Sequence, residues 1–210
     1  MTTIRRLTDS CLLITSDDGV TLTDPGFFTF ESGEVDLASI GQVDRVLITH
    51  EHRDHVNPGF VKWLRDRSPD VVVYANTAVA GLLAEHDIPA VTDDLPGYVT
   101  AEDALHEPLP NGSTVPNRSY TIGNVVTHPG DSYSLTKTAP VLALPLLAPW
   151  GSTTQSVAFA KRLGPRQVIP IHDFFMSPLG QEFLYGIAGG VLANAGIEFV
   201  PLKWNESYSV

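Results

Sequence analysis

Residues 46–55 read VLITHEHRDH, and this stretch decides how the chain can be interpreted. The apolar run at residues 46–48 predicts a buried strand. Neutral imidazoles and a carboxylate suit a borderline divalent ion such as zinc. If the strand ends near residue 50, the period of two places the first two histidines on one face, and a tight turn aims the next two groups at an adjacent position. One loop can therefore serve two neighbouring metal ions. The candidate ligands in it are His50, His52, Asp54 and His55.

This spacing differs from that of a helical zinc motif of the H-E-x-x-H kind. The second histidine of such a motif would fall at position 54, which is Asp54. The cluster is therefore interpreted as a loop that follows a strand.

Composition limits the classes of protein to consider. A chain of 210 residues can bury one sizeable core, and no Pro/Gly/Ser linker divides it, so we predict one domain over residues 1–210. The net charge of −11 argues against nucleic acid or an anionic membrane as the main partner. The single cysteine, Cys11, excludes an internal disulfide and sits in an apolar run that predicts a buried position. Without a signal peptide or a membrane span in the sequence, we expect a cytoplasmic protein.

Hydrophobic periodicity predicts an alternation of strands and helices. An apolar stripe after Pro58, the run near residues 79–83, residues 153–163 and the stripe at residues 184–192 predict helices. Because β is followed by α in both halves of the chain, we predict two packed sheets with helices outside. The predicted strands are residues 4–7, 11–15, 20–23, 46–48, 71–74, 90–92, 119–122, 125–127, 141–147, 167–171 and 198–202.

Further candidate ligands follow other predicted strands. His172 comes directly after the apolar run at residues 168–171, as His50 does after its own strand. Asp131 lies in the turn THPGDS, where its carboxylate points outward from a strand end and could bridge two ions. Asp24, between Leu22-Thr23 and Pro25-Gly26, fits a carboxylate that orients a ligand histidine through its second ring nitrogen.

The remaining histidines are less constrained by the sequence. His106, in ALHEPLPNGS, is a candidate third ligand of one ion, and His128 is the alternative. Side chains alternate between the two faces of a strand, so His128, three residues before Asp131, is expected to face away from it. This favours a supporting or substrate-facing role for His128. His86 lies near the end of a short helix and is assigned no chemistry.

The motifs TLTDPG, HEHRDH, HPGDS and IPIHD together resemble those of the metallo-β-lactamase superfamily over nearly the whole chain. The resemblance implies an α/β (α+β) fold, the four-layer αββα sandwich, with a dinuclear site where the two sheets meet. It implies a first ion held by His50, His52 and His106, a second held by Asp54, His55 and His172, and Asp131 between them. Histidine at position 52, where related di-iron oxygen reductases carry Glu, favours hydrolysis.

Two finer expectations follow from the same resemblance. The segments HPGDS and APWGS are most similar to short bacterial proteins grouped near ascorbate-6-phosphate lactonase. The chain lacks the long inserted domain of the nucleases in the superfamily, and its acidity agrees with that absence. We therefore expect a small-molecule substrate.

The predicted activity is hydrolysis of a small ester, lactone or phosphoester with two divalent ions, zinc above manganese or iron. Asp54 is expected to position the attacking hydroxide, Asp24 to fix ligand tautomers, and His128 is a candidate proton donor to the leaving group. Two alternatives remain open: a metal-binding metabolite sensor or scaffold without turnover, and a mononuclear iron-dependent thiol dioxygenase. Homo-oligomerisation also remains open. Ser132, Arg53, Tyr133 and Trp150 are candidates for lining the substrate pocket.

Overall fold

The computed structural model describes residues 1–210 and arranges twelve strands in two six-stranded mixed sheets. The first sheet contains β1 (Thr3–Arg6), β2 (Leu12–Ser16), β3 (Gly19–Thr23), β4 (Arg45–Ile48), β5 (Val72–Ala75) and β12 (Ser207–Ser209). The second contains β6 (Val99–Asp103), β7 (Arg118–Ile122), β8 (Val126–His128), β9 (Val141–Pro145), β10 (Gln167–Ile171) and β11 (Glu198–Phe199).

The two sheets have related topologies. The first has the order β12-β1-β2-β3-β4-β5, antiparallel as far as β3 and parallel from β3 to β5. The second has the order β11-β10-β9-β8-β7-β6, parallel from β11 to β8 and antiparallel beyond. The predicted duplication of β followed by α is thus seen as two similar sheets.

Five helices flank these sheets, and side-chain caps begin four of them. Asn57, Asn76, Ser152 and Ser177 each accept a hydrogen bond from a backbone N–H of the first turn, which satisfies a group that the helix leaves free. None of the five helices is long and apolar enough to cross a membrane. The helices are α1 (Phe27–Glu31), α2 (Pro58–Arg67), α3 (Thr77–Ala84), α4 (Thr153–Leu163) and α5 (Pro178–Ala193), with a 3-10 turn at Leu37–Ile40.

Strand alternation explains why the sheets stack face to face. In β4, Leu47 packs into the apolar layer between the sheets, whereas Val46 and Ile48 pack under α2 and α3. In β9, Ala143 faces the same inner layer and Leu142 packs under α4 and α5. Both faces of each central strand are therefore buried, and the fold is the expected four-layer αββα sandwich.

Three expectations about elements need correction. Residues 90–92 form only an isolated bridge, between Val91 and Tyr74. The closing strand predicted at residues 198–202 ends at Phe199, and the last strand is instead β12, on the edge of the first sheet. Neither β6 nor α1 was predicted. β6 is an edge strand with four of its five residues exposed, so backbone pairing with β7 forms it without an apolar pattern.

Candidate metal centre

Strands that run in one direction carry all the predicted ligands to one edge of the sandwich. β3 and β4 are parallel in the first sheet, and β6, β8 and β10 run alike in the second. Their carboxyl ends lead into the loops that hold the candidate residues. Asp24 follows β3, the histidine-rich loop (residues 49–56) follows β4, His106 follows β6, Asp131 follows β8 and His172 follows β10.

Four side chains form a first group that could hold a metal ion. The Asp131 Oδ2 atom lies 3.3 Å from His106 Nε2 and 3.7 Å from His50 Nε2. His50 Nε2 is 3.0 Å from His52 Nδ1. The ligand atoms of His50, His52, His106 and Asp131 all lie within 4.8 Å of one another.

A second group lies against the first. Asp54 Oδ2 is 3.5 Å from His172 Nε2 and 3.8 Å from His55 Nε2, and the ligand atoms of these three residues also lie within 4.8 Å of one another. Asp131 again contacts both histidines, with 3.2 Å from its Oδ1 to His55 Nε2 and 3.2 Å from its Oδ2 to His172 Nε2. Its carboxylate thus lies between the two groups, and the structure brings together all seven predicted ligands.

The chemistry of these side chains fits divalent metal ions. The Nε2 atoms of His55, His106 and His172 and the Oδ1 atom of Asp131 are buried without a hydrogen-bond partner. Unpartnered buried polar atoms are costly, and here they face one another across a few ångströms. Imidazole nitrogens with carboxylate oxygens are the donor set that zinc and related ions accept.

Hydrogen bonds on the outer side of the rings fix their tautomers. The Nδ1 atom of His106 donates to the carbonyl of Glu107, and that of His172 donates to the carbonyl of Leu147 at 3.2 Å. His55 Nδ1 donates to Asp24 Oδ2 at 2.7 Å. A proton on Nδ1 leaves the lone pair of Nε2 free to bind a metal.

Asp24 organises the base of the site. It is fully buried with a left-handed backbone (φ 44°). Its Oδ1 accepts the Thr49 N–H at 2.8 Å, and its Oδ2 accepts the Thr49 hydroxyl at 2.8 Å as well as the His55 ring N–H. Because the Thr49 hydroxyl is used as a donor here, its lone pair can accept from His50 Nδ1, 3.1 Å away. One carboxylate thereby orients two candidate ligands.

Without metal, the carboxylates and histidines of the site shift one another's pKa values. Burial lowers the pKa of His50 well below its ordinary value, with a further contribution from the charge of His55. Burial also disfavours a charged His172, but Asp131 and Asp9 outweigh it and raise its pKa to about 10. Burial opposes ionisation of Asp131, yet His55 and His172 hold its pKa well below the usual range. In the metal-free protein, protons therefore occupy part of the site that metal ions would take.

His128 lies behind the ligands and does not line the pocket. Its side chain is fully buried, with Nε2 2.8 Å from the Ser10 carbonyl and Nδ1 accepting the Gly130 N–H at 3.2 Å. Burial lowers the pKa of this imidazole. Both ring nitrogens are therefore engaged within the protein, and His106 rather than His128 stands with the first group.

Sequence reasoning missed three residues that support the site. Asn117 accepts the Asp131 N–H at 3.2 Å and donates to the carbonyls of Ala104 and Pro129, so it connects two ligand-bearing segments. Thr49 is the second missed residue. The third, Asp9, accepts the His172 N–H on its carbonyl and the Phe174 N–H on its carboxylate. No periodicity or motif marks such residues, because their partners are distant in sequence.

A buried ion pair anchors the segment after His172. Arg6 and Asp173 are both fully buried and paired, and Arg6 also donates to the Tyr185 hydroxyl at 2.8 Å. Gln181 and Trp204 donate to the same Asp173 carboxylate. This network ties β1, β10 and α5 together directly behind a candidate ligand.

A cavity of about 310 Å³ opens above the two groups. Arg53 is the only arginine or lysine that lines it, and its guanidinium lies 5.0 Å from the centre of the Phe27 ring. Trp150 forms part of the wall, with its ring centroid 5.5 Å from that of His172. Of the four pocket candidates, Arg53 and Trp150 thus line this cavity, and Ser132 and Tyr133 do not. The lining residues are Phe27, Phe28, His52, Arg53, Asp54, Leu109, Asp131, Pro149, Trp150, His172 and Phe175.

Comparison with known proteins agrees with this fold. Residues 3–172 match the Beta-lactamase superfamily domain. The Mycobacterium tuberculosis protein Rv0786c is 30% identical over 188 residues, covering 84% of this chain and 86% of that protein. The chain therefore belongs to the metallo-β-lactamase superfamily.

Two solved structures share the fold over almost their whole length. A Parabacteroides distasonis protein assigned as a metal-dependent hydrolase superposes with a TM-score of 0.74 at 22% identity, covering 95% of this chain and 91% of the other. Igni18, a metallo hydrolase from Ignicoccus hospitalis, gives a TM-score of 0.70 at 15% identity, covering 100% and 99%. At these identities the likeness concerns the fold.

Proposed function

We propose that the protein is a metal-dependent hydrolase that cleaves a small ester, lactone or phosphoester, with two divalent ions, zinc being the best match. The observation that carries this proposal is the set of buried, unpartnered ligand atoms facing one another beneath an accessible pocket. The structurally similar protein from Parabacteroides distasonis is itself named a metal-dependent hydrolase, which points the same way.

The two groups of ligands support a dinuclear centre. His50, His52 and His106 would hold one ion, Asp54, His55 and His172 the other, and Asp131 lies between them. Two divalent ions held close together supply an acidified water and a Lewis acid for the substrate oxygen. The second group already provides a further set of donors, so it favours this arrangement over a mononuclear iron oxygenase.

The chain's own residues divide the remaining work. The Asp54 carboxylate, with a side chain 25% exposed, lies at the pocket floor where it can orient the attacking water and accept its proton. Arg53 offers a positive charge to an anionic group of the substrate, and Phe27, Phe28 and Trp150 provide apolar walls. Asp24 holds His55 in the required tautomer. His128 is too deeply buried to reach a leaving group, so we assign it a supporting role.

A substrate panel with protein of measured metal content tests the proposal. The panel contains lactones, thioesters, phosphomonoesters and phosphodiesters, and the lactones test the lactonase-like subfamily predicted from HPGDS and APWGS. Asp54→Ala should reduce metal-dependent turnover by about 100-fold or more while the circular dichroism spectrum stays unchanged. Glu51→Gln is the matched control, because Glu51 lies in the same loop but belongs to neither ligand group nor the pocket lining.

The outcomes separate the competing functions. Lack of turnover across the panel at full metal occupancy would refute the hydrolase proposal. Tight metabolite binding without turnover would then favour a sensor or scaffold. Iron as the resident metal, with thiol-dependent oxygen uptake, would favour the oxygenase.

A further inference from the structure

Helix α5 (Pro178–Ala193) presents an apolar face to solvent. Leu179, Phe183, Ile187 and Val191 recur every four residues and are 77%, 64%, 46% and 41% exposed. Residues at this spacing share one side of a helix. The opposite side is buried, with Tyr185, Ala188 and Leu192 packed on the second sheet. The exposed stripe is therefore additional to the face that holds the helix in the fold.

The exposed side of α5 carries almost no charge. Glu182 is the only charged residue among the sixteen of the helix, in a chain with 37 charged residues out of 210. A helix face that stays in water ordinarily carries lysine, arginine and glutamate. Contiguous apolar surface of this kind marks an interaction site.

Two glycines on the same face leave room for close approach. A methyl group added at Gly186 or Gly190 would meet nothing within 4 Å, so packing within the chain does not demand glycine at either position. Glycine weakens a helix interior. Its presence at two exposed positions beside Ile187 lets another helix come near the backbone of α5.

A groove beside the stripe can receive a projecting side chain. It has a volume of about 640 Å³, with Leu179, Phe199 and Pro201 among its walls. Glu182 and Lys203 also line it, and they bring one charge of each sign to its edge. The projecting side chains of the stripe and the groove thus lie on one surface, as a two-fold interface between identical chains requires.

We propose that α5 forms the interface of a homodimer, with Phe183 of each copy seated in the groove of the other. The four stripe side chains leave on the order of 400 Å² exposed, about half of the ~800 Å² that each partner contributes to a standard interface. The groove walls supply further surface. Glu182 of one copy meets Lys203 of the second, which gives the contact charge complementarity.

Charge argues against a membrane as the occupant of this face. Interfacial helices carry lysine and arginine beside their apolar side, and α5 has neither. A second copy is therefore the occupant that the surface fits.

Sedimentation velocity of the full chain from 1 to 100 µM, with metal present, tests the proposal. The wild-type protein should sediment as a dimer, and Phe183→Glu should raise the dissociation constant by about 100-fold. Val91→Glu, at an exposed apolar position far from α5 in sequence, should leave it unchanged. Ile187→Glu provides a second interface variant, and thermal melting verifies that each variant is folded.

Two results would overturn the inference. One is a monomeric wild-type protein at 100 µM, including the case in which it co-sediments with vesicles of phosphatidylcholine and phosphatidylglycerol. The other is a dimer that both interface variants leave intact.

Discussion

Replacement of Asp24 by asparagine tests whether one buried carboxylate prepares the metal centre. The amide oxygen can still accept the Thr49 N–H, but an NH₂ group replaces the atom that accepts from His55 Nδ1 and the Thr49 hydroxyl. Donor then faces donor at 2.7 Å. His55 loses the partner that keeps its proton on Nδ1, so its Nε2 lone pair is no longer fixed toward the second ion.

The expected loss follows from these contacts. Removal of such a supporting hydrogen bond costs about 10–100-fold in metal affinity, or ~1.4–2.7 kcal/mol. The loss should be greatest for the ion nearer Asp54 and His172, since Asp24 contacts His55 of that group directly and reaches His50 of the first group only through the Thr49 hydroxyl. The site formed by His50, His52, His106 and Asp131 should retain its ion.

Competition with a chromophoric chelator measures both affinities, and elemental analysis after gel filtration gives the metal content. We expect about two ions per chain for the wild-type protein and about one for Asp24→Asn. Asp44→Asn is the matched control, because Asp44 also accepts a backbone N–H, that of Val20, but is exposed and belongs to neither ligand group. An Asp24→Asn protein that binds two ions with wild-type affinity would refute the reasoning.

Three further predictions concern the surroundings of the site. Gly26→Ala should abolish binding of the second ion and lower the free energy of unfolding by ~1–3 kcal/mol, because the added methyl group would overlap the Asp54 carbonyl, 1.6 Å away. Metal content and chemical denaturation measure these effects, and wild-type values of both would contradict the prediction. Metal affinity should rise from pH 6 to 9 by up to about tenfold per pH unit for each proton released. The reason is that protons compete with metal for His172, whose metal-free pKa is about 10. Chelator competition at each pH tests this, and an affinity that does not change with pH would count against it. Arg6→Met should destabilise the protein by ~3–5 kcal/mol, because it leaves Asp173 buried without its cation; urea unfolding measures the change, Arg5→Met is the control at a partly exposed arginine that contacts no carboxylate, and a cost below ~1 kcal/mol would show that the other donors suffice.

The sequence by itself determined the local parts of this protein. His50, His52, Asp54 and His55 lie within one loop after an apolar strand, so their spacing alone predicted a metal centre. The helix at Thr153–Leu163 and the strand at Gln167–Ile171 were predicted with their observed bounds, because their apolar periodicity and flanking residues are local signals. His172 and Asp131 could be proposed for the same reason, since each follows a clear strand.

The tertiary structure decided what depends on partners distant along the chain. The choice between His106 and His128 rests on which imidazole faces Asp131, and the fold places His106 there while His128 bonds to the Ser10 carbonyl. β6 and β12 form by backbone pairing at sheet edges, which leaves no hydrophobic pattern to read. The supporting roles of Asp9 and Asn117 likewise appear only when strands from both halves of the chain meet, because a hydrogen bond across the fold has no periodicity in the sequence.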